Sequence, residues 1–293
     1  MLLTFWCCGC RCVGVAAMCT FQLSCDPTAA LRSLPTACAH KTDLAPALGA
    51  LNGVSPGPGN GIQLRDGPHA GRLLFAGHHG FTDLVWYSDT GGSSWVRSTS
   101  VLRMAGLNDT QCADGAPCYD EPALVEVPAD TAASASSPAA VQLHMRNDAH
   151  APGHPRFLAQ STDSGHSFGA VSPMVNLTGP PNGCQASLTR GGAGDGALYF
   201  CNPAWAGGRT QLSVRRSTDA GRTWPRCTEA QRMEDGGCAG VVTVEVNQSS
   251  YSSLTAMGTE KVGVLYERGP EWGDSGCSGV SCRISFTAVD AEF

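Results

Sequence analysis

One pattern of eight residues recurs three times in this chain of 293 residues, and it constrains the fold more than any other feature. The pattern is Ser-x-Asp-x-Gly-x-Thr/Ser-aromatic. Its cleanest copy is Ser217-Thr-Asp219-Ala-Gly221-Arg-Thr223-Trp224. A second is Ser161-Thr-Asp163-Ser-Gly165-His-Ser167-Phe168. The third, Ser88-Asp-Thr90-Gly-Gly92-Ser-Ser94-Trp95, has Thr90 in place of the central Asp. The chemistry is that of a hairpin turn. Asp and Ser side chains bond turn amides, Gly takes a positive φ, and the aromatic ring tucks beneath. Asp163 and Asp219 therefore read as turn builders rather than as acids. Each copy follows a strand-like run: Leu84-Val-Trp-Tyr, Arg156-Phe-Leu-Ala-Gln and Leu212-Ser-Val-Arg-Arg. Similar short apolar runs bounded by turn residues begin at Gly71, Ala140, Gly196, Val262 and Arg283, and they predict further strands. Strand-like runs punctuated by such turns, with no long 3.6 period after residue 57, predict an all-β chain.

Composition agrees. The 36 Gly and 18 Pro exclude a helical bundle or coiled coil, and a hydrophobic content of 42% excludes a disordered chain. Net charge is −6, and the only lysines are Lys41 and Lys261. With no basic block, a nucleic-acid partner is not expected.

Fifteen cysteines point to an oxidising compartment. Eight form close neighbours: Cys112 with Cys118, Cys184 with Cys201, Cys227 with Cys238 and Cys277 with Cys282. Such loops suit disulfides, with free thiols as the alternative. Zinc would favour tighter Cys spacing and nearby His, which the pairs lack, and His78-His79 has no partner spacing. No metal or other cofactor is expected. Residues 1–51 read as an atypical Cys-rich leader or linker. Their first 24 residues are signal-like, apolar with a single Arg11, but without a basic start. A mis-assigned start is the alternative. No integral membrane span is expected. Sequons stand at Asn108, Asn176 and Asn247. Together with the cysteines they favour the secretory pathway, lysosomal or extracellular, over the cytoplasm. Residues 52–293 form the main domain, and 129–140 read as an exposed loop insertion.

Further motifs lie between the turns. Ser250-Tyr251-Ser252-Ser253-Leu254 precedes Val262-Gly-Val-Leu-Tyr266-Glu267. Upstream stand Tyr119-Asp-Glu121-Pro-Ala-Leu-Val-Glu126, Leu143-His-Met-Arg146-Asn147, Gly183-Cys-Gln185-Ala-Ser187 and Gly208-Arg209-Thr-Gln-Leu-Ser-Val. In order and in kind these resemble the sialidase superfamily, and the repeated turn is similar to its Asp-box. The segment at Tyr119 is similar to the family's Asn-Glu-x-x-Val-x-Glu. The resemblance covers about residues 52–293, and it implies an all-β, six-bladed β-propeller, incomplete at its N-terminus.

The resemblance also implies roles. Tyr251 is the nucleophile and Glu121 its base. Arg146 and Arg209 bind the substrate carboxylate, and Asn147 and Gln185 line the pocket. Arg215 and Arg216 read as surface residues. Substrates are sialylated glycans of glycoproteins, gangliosides or oligosaccharides. The chemistry is coherent. Guanidinium groups bind carboxylates bidentately. A neutral phenol avoids the repulsion that a carboxylate nucleophile would meet beside the substrate's own carboxylate. A phenol needs an adjacent base to act as a nucleophile. The family's first arginine and its acid/base Asp have no match before residue 57, since Arg32 and Asp43 lie in other contexts. The expected activity is therefore retaining exo-α-sialidase chemistry, impaired in this chain. The alternatives are a catalytically inactive sialic-acid-binding propeller and a scaffold. Oligomeric state is not readable.

Overall fold

A computed structural model describes residues 2–3, 21–22, 47, 54–100, 102, 118–128, 137–148, 153–192, 196–228, 238–269 and 283–293. Its regular structure is almost entirely antiparallel sheet. Two short strands, β1 (Leu2–Leu3) and β2 (Phe21–Gln22), pair with each other. A five-stranded sheet holds β3 (Ser55–Pro56), β4 (Ile62–Gln63), β5 (Leu73–His79), β6 (Thr82–Ser88) and β7 (Val96–Arg97), with β3 and β4 both on β5. A four-stranded meander follows: β8 (Tyr119–Glu126), β9 (Val141–Asn147), β10 (Pro155–Ser161) and β11 (Ser172–Thr178). A six-stranded meander completes the chain: β12 (Ser187–Arg190), β13 (Leu198–Pro203), β14 (Thr210–Ser217), β15 (Val241–Met257), β16 (Lys261–Arg268) and β17 (Arg283–Asp290).

The strands expected from short apolar runs are present. The expectation is a six-bladed propeller incomplete at its N-terminus; among the described residues the sheets are open, and six blades are not seen. The six-stranded sheet is itself divided. β15 pairs with β14 over its first part and with β16 over its second, and the register shifts between Ser249 and Ser252. One long strand thus serves two sheets.

Alternation of side chains builds the cores between sheets. On β8, Leu124 enters a core with Leu74, Val85, Tyr87, Leu143 and Phe157. Its neighbours Ala123 and Val125 enter another with Leu188, Leu198, Phe200 and Trp224. A strand buried on both faces must be apolar at successive positions, which explains Pro-Ala-Leu-Val in β8. Tyr199, Leu212, Val214, Leu254 and Val264 make a third core.

The three repeated turns share one hydrogen-bond scheme. Ser88, Ser161 and Ser217 each accept, through Oγ, the N–H of the glycine four residues on, at 2.9, 2.8 and 2.9 Å. Asp163 and Asp219 each accept the N–H of Ser167 and Thr223, at 2.8 and 2.9 Å. Thr90 reproduces that bond to Ser94 at 2.8 Å with its single oxygen. Gly92, Gly165 and Gly221 all have positive φ, at 91°, 83° and 75°.

Cysteine and arginine placement differs in part from expectation. Cys227 and Cys238 are bonded. Cys118 is also in a disulfide, and its expected partner Cys112 lies outside the described residues. Cys184 and Cys201 are free buried thiols, a correction to their expected pairing. Cys201 faces Ser187 across the β12–β13 register, while Cys184 turns its sulfur toward Ser250. Cys277 and Cys282 lie outside the described residues. Arg215 is buried rather than at the surface, because β14 is an inner strand, and it donates to Asn202 Oδ1 at 2.8 Å. Of the expected loop insertion, 129–136 lie outside the described residues. Ser137 and Pro138 are exposed, while Ala139 is buried.

Candidate active site

Four side chains from three strands and one loop converge. Glu121 lies near the start of β8, Arg146 near the end of β9, Arg209 immediately precedes β14, and Tyr251 sits in the register shift of β15. The Tyr251 hydroxyl donates to Glu121 Oε1. Glu121 Oε2 accepts from Arg146 Nη1 at 2.6 Å. The Arg209 guanidinium stands 5.8 Å from the centre of the Tyr251 ring, on one face.

Each residue is locally aimed. Glu121 has φ +42°, within a β-bulge against β9 and directly before Pro122. A non-glycine residue in that region stores about 1–3 kcal/mol of strain, so its surroundings must over-determine it. Its own N–H donates to Asp120 Oδ1 at 2.8 Å. Tyr251 is set by the shift in β15 and by its N–H, which donates to Glu267 Oε2 at 3.2 Å. Arg146 also donates through Nη2 to Asp148 Oδ1 at 2.6 Å and to the Asn182 carbonyl at 2.5 Å. Arg209 donates to Ser250 Oγ at 3.0 Å and to the Gly183 carbonyl at 3.4 Å.

Electrostatics follow from this packing. Burial, then the charge and hydrogen bond of Glu121, push the Tyr251 phenol well above its usual value. It is therefore a neutral hydroxyl whose proton already points at a carboxylate. Burial opposes the Arg146 charge, but Glu121 and Asp148 outweigh it and hold the guanidinium ionised. Burial raises the Cys184 thiol, so it is no nucleophile at neutral pH. Among the described residues no group of His, Cys, Asp or Glu could hold a metal ion, and no helix is long and apolar enough to cross a membrane.

Comparison with known proteins adds a family. A sialidase of Micromonospora viridifaciens is 33% identical over 223 residues, covering 72% of this chain and 28% of the relative. A sialidase of Bacteroides fragilis is 27% identical, covering 72% of this chain and 33% of its own length. The chain falls within the sialidase superfamily. It spans a third or less of the length of these curated relatives. No protein-family profile matches it. In fold, it is similar to the NanB sialidase of Streptococcus pneumoniae, with a TM-score of 0.56 at 19% identity, covering 78% of this chain and 30% of that one.

Within this sialidase-like frame, Tyr251, Glu121, Arg146 and Arg209 stand together. Asn147 and Gln185 hold the backbone beside them. Asn147 bonds the Pro155 carbonyl at 3.1 Å and receives the Cys118 N–H at 3.4 Å, tying strand ends together. Gln185 is fully buried and exchanges hydrogen bonds with the Ser252 backbone at 2.9 and 3.0 Å. It anchors β15 one residue beyond Tyr251. Asp163 and Asp219 lie in their turns.

Sequence reasoning missed several neighbours. Arg156 is buried and donates to the Cys184 carbonyl at 2.7 Å, while its Nε and Nη2 have no hydrogen-bond partner. Trp205 folds over the turn before Arg209, where a Cβ on Gly207 would come within 2.5 Å of its ring. The Trp-Ala-Gly-Gly string ahead of Arg209 was the available signal. His78 touches Asp120 at 2.8 Å.

Proposed function

We propose that this chain carries a sialidase-type catalytic face and acts as a retaining exo-α-sialidase. The hydrogen bond from Tyr251 to Glu121, with Arg146 on the second Glu121 oxygen, supports this reading most. The substrate carboxylate is held by Arg209 with Arg146, as guanidinium chemistry favours. Tyr251 Oη attacks the anomeric carbon as its proton passes to Glu121. The bond to the aglycone oxygen breaks, and that oxygen takes up a proton from solvent water. Water then attacks the anomeric carbon and loses a proton to solvent, the bond to Tyr251 Oη breaks, and Glu121 returns its proton to the phenol. Two displacements give retention. The proposal extends to an Asp-box propeller domain over 52–293, to sialylated glycoproteins, gangliosides or oligosaccharides as substrates, and to a secretory, lysosomal or extracellular setting.

Hydrolysis of an aryl sialoside tests the reading, because its leaving group needs little protonation. Wild-type chain is expected to turn it over, and Tyr251→Phe to lose about 10²–10⁴-fold in kcat, the scale of losing a positioned acid or base partner. Turnover unaffected by Tyr251→Phe would remove the assignment. Saturable sialoside binding without turnover, lost in Arg209→Ala, would select the inactive binding propeller.

A further inference from the structure

The Glu121 carboxylate is aimed by a strained bulge, and Asp120 is its brace. Asp120 Oδ1 accepts the Glu121 N–H at 2.8 Å and also meets His78 Nδ1 at 2.8 Å. Asp120 Oδ2 lies 3.9 Å from Arg146 Nη1. His78 Nδ1 is also 3.1 Å from the Gly80 carbonyl. Two acceptors around one ring nitrogen require that nitrogen to carry a hydrogen. His78 lies near the end of β5 and Asp120 in β8, so the contact joins two sheets at the edge of the site. Asp120 places a second negative charge directly beside Glu121. His78 is the basic group set against that charge.

We propose that His78 is a positioning residue: its imidazolium anchors and neutralises Asp120, and Asp120 holds the bulge that brings Glu121 to Tyr251 and Arg146. The proposal rests on reading Tyr251 and Glu121 as nucleophile and base. The groups facing His78 are Asp120 from β8 and Asp83 from β6, with Arg146 from β9 beyond Asp120. Burial pulls the imidazole down, but Asp120, the Gly80 carbonyl and Asp83 outweigh it and hold it at about 9. Asp83 is fully buried with neither oxygen hydrogen-bonded, and burial pushes its carboxyl well above the usual range. Asp120 is therefore the principal counter-ion. A raised histidine contributes fully below its ordinary value near 6.5, and the contribution fades as pH rises through about 9.

The test uses the full chain, with imidazole NMR titration and aryl-sialoside kinetics across pH. His78 is expected to titrate near 9 in the wild type and to fall toward about 6.5 in Asp120→Asn. His78→Gln is expected to lower kcat about tenfold or more, with KM within about twofold and the alkaline limb near 9 removed. The double variant His78→Gln/Asp120→Asn should recover most of that loss, because the unpaired charge is gone. A His78 that titrates at its ordinary value in the wild type overturns the proposal. So does a His78→Gln chain with wild-type kcat and an unchanged limb. Were His78→Gln not to fold, the wild-type and Asp120→Asn titrations would decide. A wild-type chain without turnover would count against the sialidase reading alone, and the titration would still decide the pair.

Discussion

Gly183 shows how closely single positions are fitted around the site. Its φ is +59°, and a Cβ there would lie 2.3 Å from the Asn147 carbonyl oxygen and 3.0 Å from Arg146 Cγ and Nε. Its own carbonyl receives Arg209. One glycine therefore lets the backbone pass between two arginines. Gly183→Ala is expected to cost about 1–3 kcal/mol of stability, from positive φ and the clash together, measured by urea unfolding. It should also lower kcat more than an equally destabilising core change, because the displaced atoms belong to Arg146. At this scale Tyr251 is legible in sequence, because Ser250-Tyr251-Ser252-Ser253-Leu254 is a contiguous signature. The conformation of Glu121 is not, since a residue before proline is ordinarily extended.

The turns are the elements most fully written in the chain. Their ligands lie within four residues of one another, so local chemistry decides them. Asp163 and Asp219 show that balance. Burial raises their carboxyls, but hydroxyl and amide donors from Ser167 and Thr223 outweigh it and hold both below the usual value. A depressed carboxylate contributes stability above its unfolded value and loses it as pH falls through the folded one. Stability should thus decline below about pH 4, where free Asp takes up its proton. Asp163→Asn with Asp219→Asn should flatten that acid slope in thermal unfolding and cost about 1–2 kcal/mol at pH 7, from lost charged acceptors. An unchanged slope would place the acid sensitivity elsewhere. β17 is written less plainly. Its exposed Ile284 and Phe286 alternate as a strand should, yet they face outward on a strand paired only with β16 among the described residues.

For the whole molecule, β8 links both ends of the fold. Its first residues carry Glu121, and its last, Glu126, ties three chain segments. Glu126 accepts the N–H groups of Arg65 and Asp66 at 2.8 and 2.9 Å and meets Arg190 Nη1 at 3.0 Å. Arg190 also reaches Asp66 at 2.6 Å, and Arg65 donates to the Gly191 carbonyl at 2.7 Å. Adjacent sheets are thereby clamped away from the site. Glu126 is only 3% exposed, so Arg190→Ala leaves a buried carboxylate without its cation. The expected loss is about 2–4 kcal/mol in urea unfolding. That is below the full cost of an unpaired buried charge, because two amides remain. The double change Arg190→Met with Glu126→Gln should lose less than Arg190→Ala alone.

Short-range chemistry is legible along the chain. It set the three turns, the short strands between them, and the family segments holding Tyr251, Glu121, Arg146 and Arg209. Only the tertiary structure decided what depends on distant partners. It left the Cys184 and Cys201 thiols free, buried Arg215 and Arg156, and set Gln185 against the β15 backbone. It also joined His78 to Asp120 across two sheets. The reason is physical. A turn closes over a few bonds, whereas the site closes across 130 residues between Glu121 and Tyr251, and only sheet packing fixes that distance.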